Sequence, residues 1–123
     1  MGGRSTVVLA EDDPGLQDLV RFTLESDGHA VEAYGTGDDC WERLTDGERP
    51  DVVVLDITLP GMDGMDILER LRRDDELAEI PVMFLSAREK DDDAVADFAA
   101  EADDYVTKPF SPSELRTRID RLL

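Results

Sequence analysis

Two kinds of apolar pattern alternate along this chain, and that alternation decides its fold class. Short runs at Thr6-Val7-Val8-Leu9-Ala10, Ala30 to Tyr34, Val52-Val53-Val54-Leu55, Val82-Met83-Phe84-Leu85 and Asp104-Tyr105-Val106-Thr107 have the length and composition of strands. Between them apolar residues recur at helical spacing: Leu16, Leu19, Val20 and Leu24; Cys40, Trp41 and Leu44; Ile67, Leu68 and Leu71; Ala94, Val95, Phe98 and Ala99; Leu115, Ile119 and Leu122. Pro14 opens the first helix and Gly28 stops it; Thr36 is placed to cap the second, and Gly47 and Pro50 close it. Pro60-Gly61 and Asp63-Gly64 break the chain before the third, and Ser111 or Ser113 caps the last. Five strand–helix units imply an α/β fold with a doubly wound parallel sheet. Each crossover helix must bury its stripe on the sheet, and right-handed crossovers place helices on both faces.

Length and charge bound what such a domain does. The chain of 123 residues supports one domain, spanning 1–123, with no room for an output domain. It carries 31 acids against 13 bases, a net charge of −18, and the bases are 11 Arg with only Lys90 and Lys108. Holding nucleic acid or an anionic membrane surface needs clustered Lys and Arg, so neither is an expected partner. The lone Cys40 cannot form an internal disulfide, and Met1 to Ser5 runs straight into a strand without a leader pattern. Both features fit a cytoplasmic protein. The carboxylate excess points further, to adaptation to high cytoplasmic salt as in a halophile, because self-repulsion of this size is tolerable when strongly screened.

The polar residues fall where an open parallel sheet binds ligands, outside the carboxyl ends of its strands. The first strand ends in Glu11, Asp12 and Asp13, the third in Asp56, the fourth in Ser86, and the fifth in Thr107 and Lys108. If they converge, Glu11, Asp12 and Asp56 form a carboxylate cluster whose repulsion favours a proton or a hard cation. Oxygen ligands with room for water suit Mg²⁺. Lys108 would add a point positive charge and Ser86 a hydroxyl donor. Together they meet the needs of phosphoryl transfer: a positioned nucleophile, Asp56, with its surroundings neutralising charge.

Four stretches carry a resemblance to a known family: Val7-Val8-Leu9-Ala10-Glu11-Asp12-Asp13-Pro14, Val53-Val54-Leu55-Asp56-Ile57-Thr58-Leu59-Pro60-Gly61-Met62-Asp63-Gly64, Pro81-Val82-Met83-Phe84-Leu85-Ser86-Ala87, and Ala102-Asp103-Asp104-Tyr105-Val106-Thr107-Lys108-Pro109-Phe110. In this order and at these separations the chain resembles the response-regulator receiver domain of two-component signalling, of chemotaxis-regulator type, along essentially its whole length. The resemblance implies a flavodoxin-like sheet of strand order 2-1-3-4-5 with five helices. It implies that Asp56 accepts a phosphoryl group from a sensor histidine kinase or phosphotransfer protein, so that the chain is a signalling switch and not an enzyme. Asp12, Asp56 and the carbonyl of Thr58 would hold Mg²⁺ directly, with Glu11 acting through water. Lys108 would meet the phosphate and precede a cis peptide to Pro109. Ser86 and Tyr105 would form the switch pair, and the fourth helix, fifth strand and last helix would present an altered face to a downstream protein, a fused output domain or a second copy.

Three residues depart from the family pattern. Glu11 stands where Asp is common, Ser86 where Thr is commoner, and Glu101 where Gly is favoured; the last puts only the end of the fourth helix in doubt. The competing enzyme reading is a Mg²⁺-dependent phosphatase with an aspartyl nucleophile, similar to the haloacid dehalogenase group. Thr58 stands where that group carries its acid/base Asp, which counts against it. A phosphorylation-dead docking scaffold is opposed by the intact set Glu11, Asp12, Asp56, Ser86 and Lys108. Plainer readings cover the rest: Asp91-Asp92-Asp93 as a solvated helix start, Cys40 and Trp41 as packing, Met62, Met65 and Met83 as filler. His29, the only histidine, has no partner for triad chemistry and reads as non-functional.

Overall fold

Strand β1 (Thr6–Ala10) is followed by helix α1 (Pro14–Ser26), β2 (Ala30–Tyr34), α2 (Gly37–Thr45), β3 (Val52–Asp56), α3 (Gly64–Arg73), β4 (Val82–Ala87), β5 (Asp104–Lys108) and α4 (Pro112–Leu122). The structure, a computed structural model, describes residues 5–87 and 102–123. Four helices therefore lie among the described residues. The helix expected at Ala94 to Ala99, the Asp91-Asp92-Asp93 start and Glu101 lie outside them.

All five strands pair in parallel, in the order β2-β1-β3-β4-β5. The flavodoxin-like arrangement follows from the apolar pattern. Successive residues of a strand point to opposite faces, so a strand buried on both sides must be apolar throughout. In β3 every residue is buried; Val53 and Leu55 join Cys40, Leu44, Ile67, Leu68 and Leu71 of α2 and α3 on one face. Val52 and Val54 join Val20 and Leu24 of α1 and Leu115 and Ile119 of α4 on the other. Truncating one such side chain, Leu55 for example, should cost about 2–5 kcal/mol.

Local chemistry starts the helices where the chain must turn away from the sheet. Asp13 caps α1 by accepting from the Gly15 N–H at 3.0 Å, Thr36 caps α2, and Ser111, not Ser113, caps α4. Asp63 does more than break the chain. Its carboxylate accepts from the Asp66 N–H at 2.9 Å while Asp66 accepts from the Asp63 N–H at 3.3 Å, a reciprocal capping box that launches α3. Two glycines permit close approach there. A Cβ on Gly64 would collide with the carbonyl oxygen of Asp56, and one on Gly37 with that of Met62. Both therefore hold the loop after β3 tightly against its neighbours.

Candidate functional site

β1 and β3 are adjacent, and the chain leaves each at its carboxyl end into an acidic residue. Glu11 is fully buried directly after β1, its N–H donating to the Tyr34 carbonyl at 3.0 Å. Its own carbonyl accepts from Gln17 Nε2 at 2.8 Å, and its Oε2 accepts from the Asp13 N–H at 3.0 Å. Asp56 closes β3 and is 6% exposed, whereas Asp12 is exposed. Carboxylate oxygens of Glu11, Asp12 and Asp56 lie within 4.8 Å of one another.

Lys108, the last residue of β5, reaches into this group from the far side. Its Nζ donates to Asp56 Oδ2 at 3.0 Å and stands 3.2 Å from Glu11 Oε1. The second contact is an ion pair without hydrogen-bond alignment, so Glu11 Oε1 is buried without a hydrogen-bond partner. The other oxygen of Asp56, Oδ1, accepts from the Thr58 N–H at 3.1 Å. The Lys108–Pro109 peptide is cis, as the resemblance implies.

The electrostatics follow from burial. Removal from water pushes the Glu11 carboxyl up to about 7; the Asp56 charge adds to this, while the Asp13 N–H and Lys108 oppose it. Burial also works against the Lys108 ammonium. The hydrogen bond and charge of Asp56 and the charge of Glu11 outweigh that effect and hold Lys108 above its ordinary value. One ammonium thus serves two buried carboxylates, Glu11 and Asp56, with Asp12 close by, and Glu11 Oε1 has its charge contact but no hydrogen bond. An oxygen-only donor set with this unmet demand fits a hard divalent cation.

Of the residues expected to act together, Glu11, Asp12, Asp56 and Lys108 converge, and Thr58 touches Asp56 through its backbone. Ser86 is buried at the end of β4, one position beyond Leu85, which pairs with Asp56 across the sheet. Tyr105 does not join the group: it is 47% exposed on the edge strand β5. Two supporting residues have no assigned role in the sequence reading. Gln17, which has no motif signal, holds the backbone at Glu11, and Gly64, which closes the second resemblance stretch, lets α3 seat against Asp56.

Residues 7–120 match the family model described as "Response regulator receiver domain". The phosphate regulon transcriptional regulatory protein PhoB of Rhizobium meliloti is 38% identical over 117 residues, covering 95% of this chain and 51% of that protein. The transcriptional regulatory protein TrcR of Mycobacterium tuberculosis is 42% identical over 122 residues, covering 99% of this chain and 46% of that one. Among solved structures, the signal receiver domain of a signal transduction histidine kinase from Syntrophus aciditrophicus superposes with a TM-score of 0.87 at 29% identity. That match covers 97% of this chain and 89% of the other. The chain spans about half the length of the curated relatives it matches.

Proposed function

The chain belongs to the response-regulator receiver family of two-component signalling, and from that footing we propose that Asp56 is its phosphoacceptor. An Asp56 oxygen attacks the phosphorus of a phosphohistidine on a sensor kinase or phosphotransfer protein. The new O–P bond forms as the N–P bond breaks, and the leaving imidazole recovers its electron pair and takes a proton. The observation that carries this reading is the 3.0 Å contact between Lys108 Nζ and Asp56 Oδ2 inside a buried acidic group. The ammonium neutralises charge where a phosphoryl group would arrive, and the Thr58 N–H fixes the carboxylate's orientation.

Glu11, Asp12, Asp56 and the Thr58 carbonyl are the groups that would hold Mg²⁺, with Glu11 acting through water. Bound there, the ion would offset the repulsion between Asp56 and an incoming phosphate. Ser86 and Tyr105 are proposed as the switch: the buried Ser86 hydroxyl turns to a phosphoryl oxygen, and Tyr105 moves from its half-exposed position toward the space vacated. The altered face would comprise β5, α4 and the segment between β4 and β5. It would serve a downstream protein, a fused output domain or a second copy. The curated relatives named above are transcriptional regulators, which supports an output of that kind. No helix among the described residues is long and apolar enough to cross a membrane, and a cytoplasmic location is part of the same proposal, as is action as a switch without turnover.

Intact mass after incubation with Mg²⁺ and a small acyl-phosphate donor tests the central claim. One labile phosphate is expected on the native chain and none on Asp56→Asn. An undiminished adduct in the variant would overturn the assignment. The comparisons do not support a halophilic origin; the proposal of a salt-adapted surface stands on the charge of −18 alone.

A further inference from the structure

A second cluster of ligand-type side chains lies at the opposite end of the sheet. Asp27 is the C-cap of α1, His29 directly precedes β2, and Asp120 sits in the last turn of α4. Gly28, with φ +94°, turns the chain between them, and the Gly28 and His29 N–H groups close the helix end on Glu25 and Leu24. One donor atom from each of Asp27, His29 and Asp120 falls within 4.8 Å of the others. Arg116, one helical turn before Asp120, brings its Nε to 3.3 Å from Asp27 Oδ1.

What sets this place apart is unmet hydrogen bonding. Among the described residues five buried side-chain polar atoms lack a hydrogen-bond partner, and two of them are the ring nitrogens of His29; a third, the Nε of Arg116, is engaged in its ion pair with Asp27. A fourth, Glu11 Oε1, belongs to the acidic pocket. A buried unpaired polar atom costs about 1–3 kcal/mol, so two on one imidazole make a site that gains from a ligand.

We propose that Asp27, His29 and Asp120 bind a divalent transition-metal ion of the Zn²⁺ type, clipping the α1–β2 turn to α4. One imidazole nitrogen with two carboxylate oxygens and a water completes a four-coordinate site. Tetrahedral coordination wants donors about 3.3 Å apart, a contraction of at most about 1.5 Å, which two exposed Asp side chains can supply by rotation. The imidazole selects against Mg²⁺, whose ligands are carboxylate, carbonyl and water. The two ends of the sheet would therefore take different ions. Arg116 competes for Asp27, and its ion pair would loosen as the metal enters.

The test is a ZnCl₂ titration of the tag-free chain with Mg²⁺ in excess, read by the imidazole resonances of its only histidine and by the thermal midpoint. The expected result is one Zn²⁺ per chain, a displaced His29 ring signal and a raised midpoint, all retained in Asp56→Asn. Affinity should fall roughly tenfold or more in His29→Gln and in Asp120→Asn. Asp120 is exposed, so that variant keeps the test valid if His29→Gln folds poorly. Ring resonances unmoved by Zn²⁺, or unchanged affinity in a folded Asp120→Asn, would overturn the proposal.

Discussion

Raising the pH without divalent metal should weaken this protein through one residue, Glu11. Its carboxyl is raised from 4.5 to about 7, chiefly by burial. A proton is therefore bound by the folded chain and not by the unfolded one between those values. Stability must then fall with rising pH across that window: the advantage is complete below the unfolded value and gone above the folded one. At 1.36 kcal/mol per unit, the shift is worth roughly 3 kcal/mol. The side chain is 1% exposed, so water does little to solvate the charged form. It is a large fraction of what holds a domain of this size together.

Urea melts in EDTA, run on the native chain and on Glu11→Gln from about pH 5 to about pH 8, isolate this contribution from the chain's other acids. The variant keeps a neutral side chain at every pH. The native chain should therefore lose roughly 3 kcal/mol relative to it over the window. Saturating Mg²⁺ should remove most of the loss, because the cation takes the proton's place, and metal uptake near pH 6 should release about one proton. A difference between native and variant that stays flat with pH in EDTA would refute the reasoning. It would mean that Lys108, 3.2 Å away, suffices to keep Glu11 ionised throughout.

Lys108→Met leaves the buried carboxylates of Glu11 and Asp56 without their cation, and the metal-free protein should lose about 3 kcal/mol in denaturant melts. The same variant should bind Mg²⁺ more tightly by calorimetry while accepting phosphate more slowly. Gly64→Ala forces a methyl group onto the Asp56 carbonyl and should cost about 1–3 kcal/mol, with slowed phosphorylation because the acceptor moves with its backbone. If the −18 surface is salt-adapted, the melting midpoint should climb steadily through a KCl series into the molar range; a midpoint indifferent to KCl would discard that reading.

Much of the fold was legible because strands and helices write different periods, and β3 wrote its own most plainly, with Val52 to Leu55 buried and Asp56 at the mouth of the crevice. Contacts set by tertiary packing were not. Lys108 meets Asp56 across 52 residues, a distance no local pattern spans; strand-end placement and the family resemblance both point to their convergence, but neither gives the contact itself. Asp63 read as a chain break because turn and cap share residue types; only the reciprocal bonds with Asp66 distinguish them. Glu11 is placed in the carboxylate cluster by its position at the end of a strand, but its full burial, unlike the exposure of Asp12, has no signal in the sequence. Its backbone there is tied to the Tyr34 carbonyl and the Gln17 side chain, contacts between separate elements. His29 looked idle because its neighbour Asp120 lies at the other end of the chain.

If Asp56 is phosphorylated as proposed, the placement of Lys108 gives its charge a route beyond the pocket. β5 is an edge strand, hydrogen-bonded to β4 alone, so it is less constrained than the central β3 that carries Asp56. Its last residue is tied to Asp56 by a single charged contact, and Tyr105 lies three residues back on the same strand, half in solvent. Asp104, beside it, is held at 2.7 Å by Arg118 of α4, which links the strand to the helix packed next to it. A phosphoryl group added at Asp56 would change the charge that Lys108 balances, and the strand free to answer is the one joined to α4. On the proposed reading, the central strands would hold the acceptor in place, while the edge strand and its helix would carry the consequence. That division follows from the order β2-β1-β3-β4-β5 and the position of one lysine.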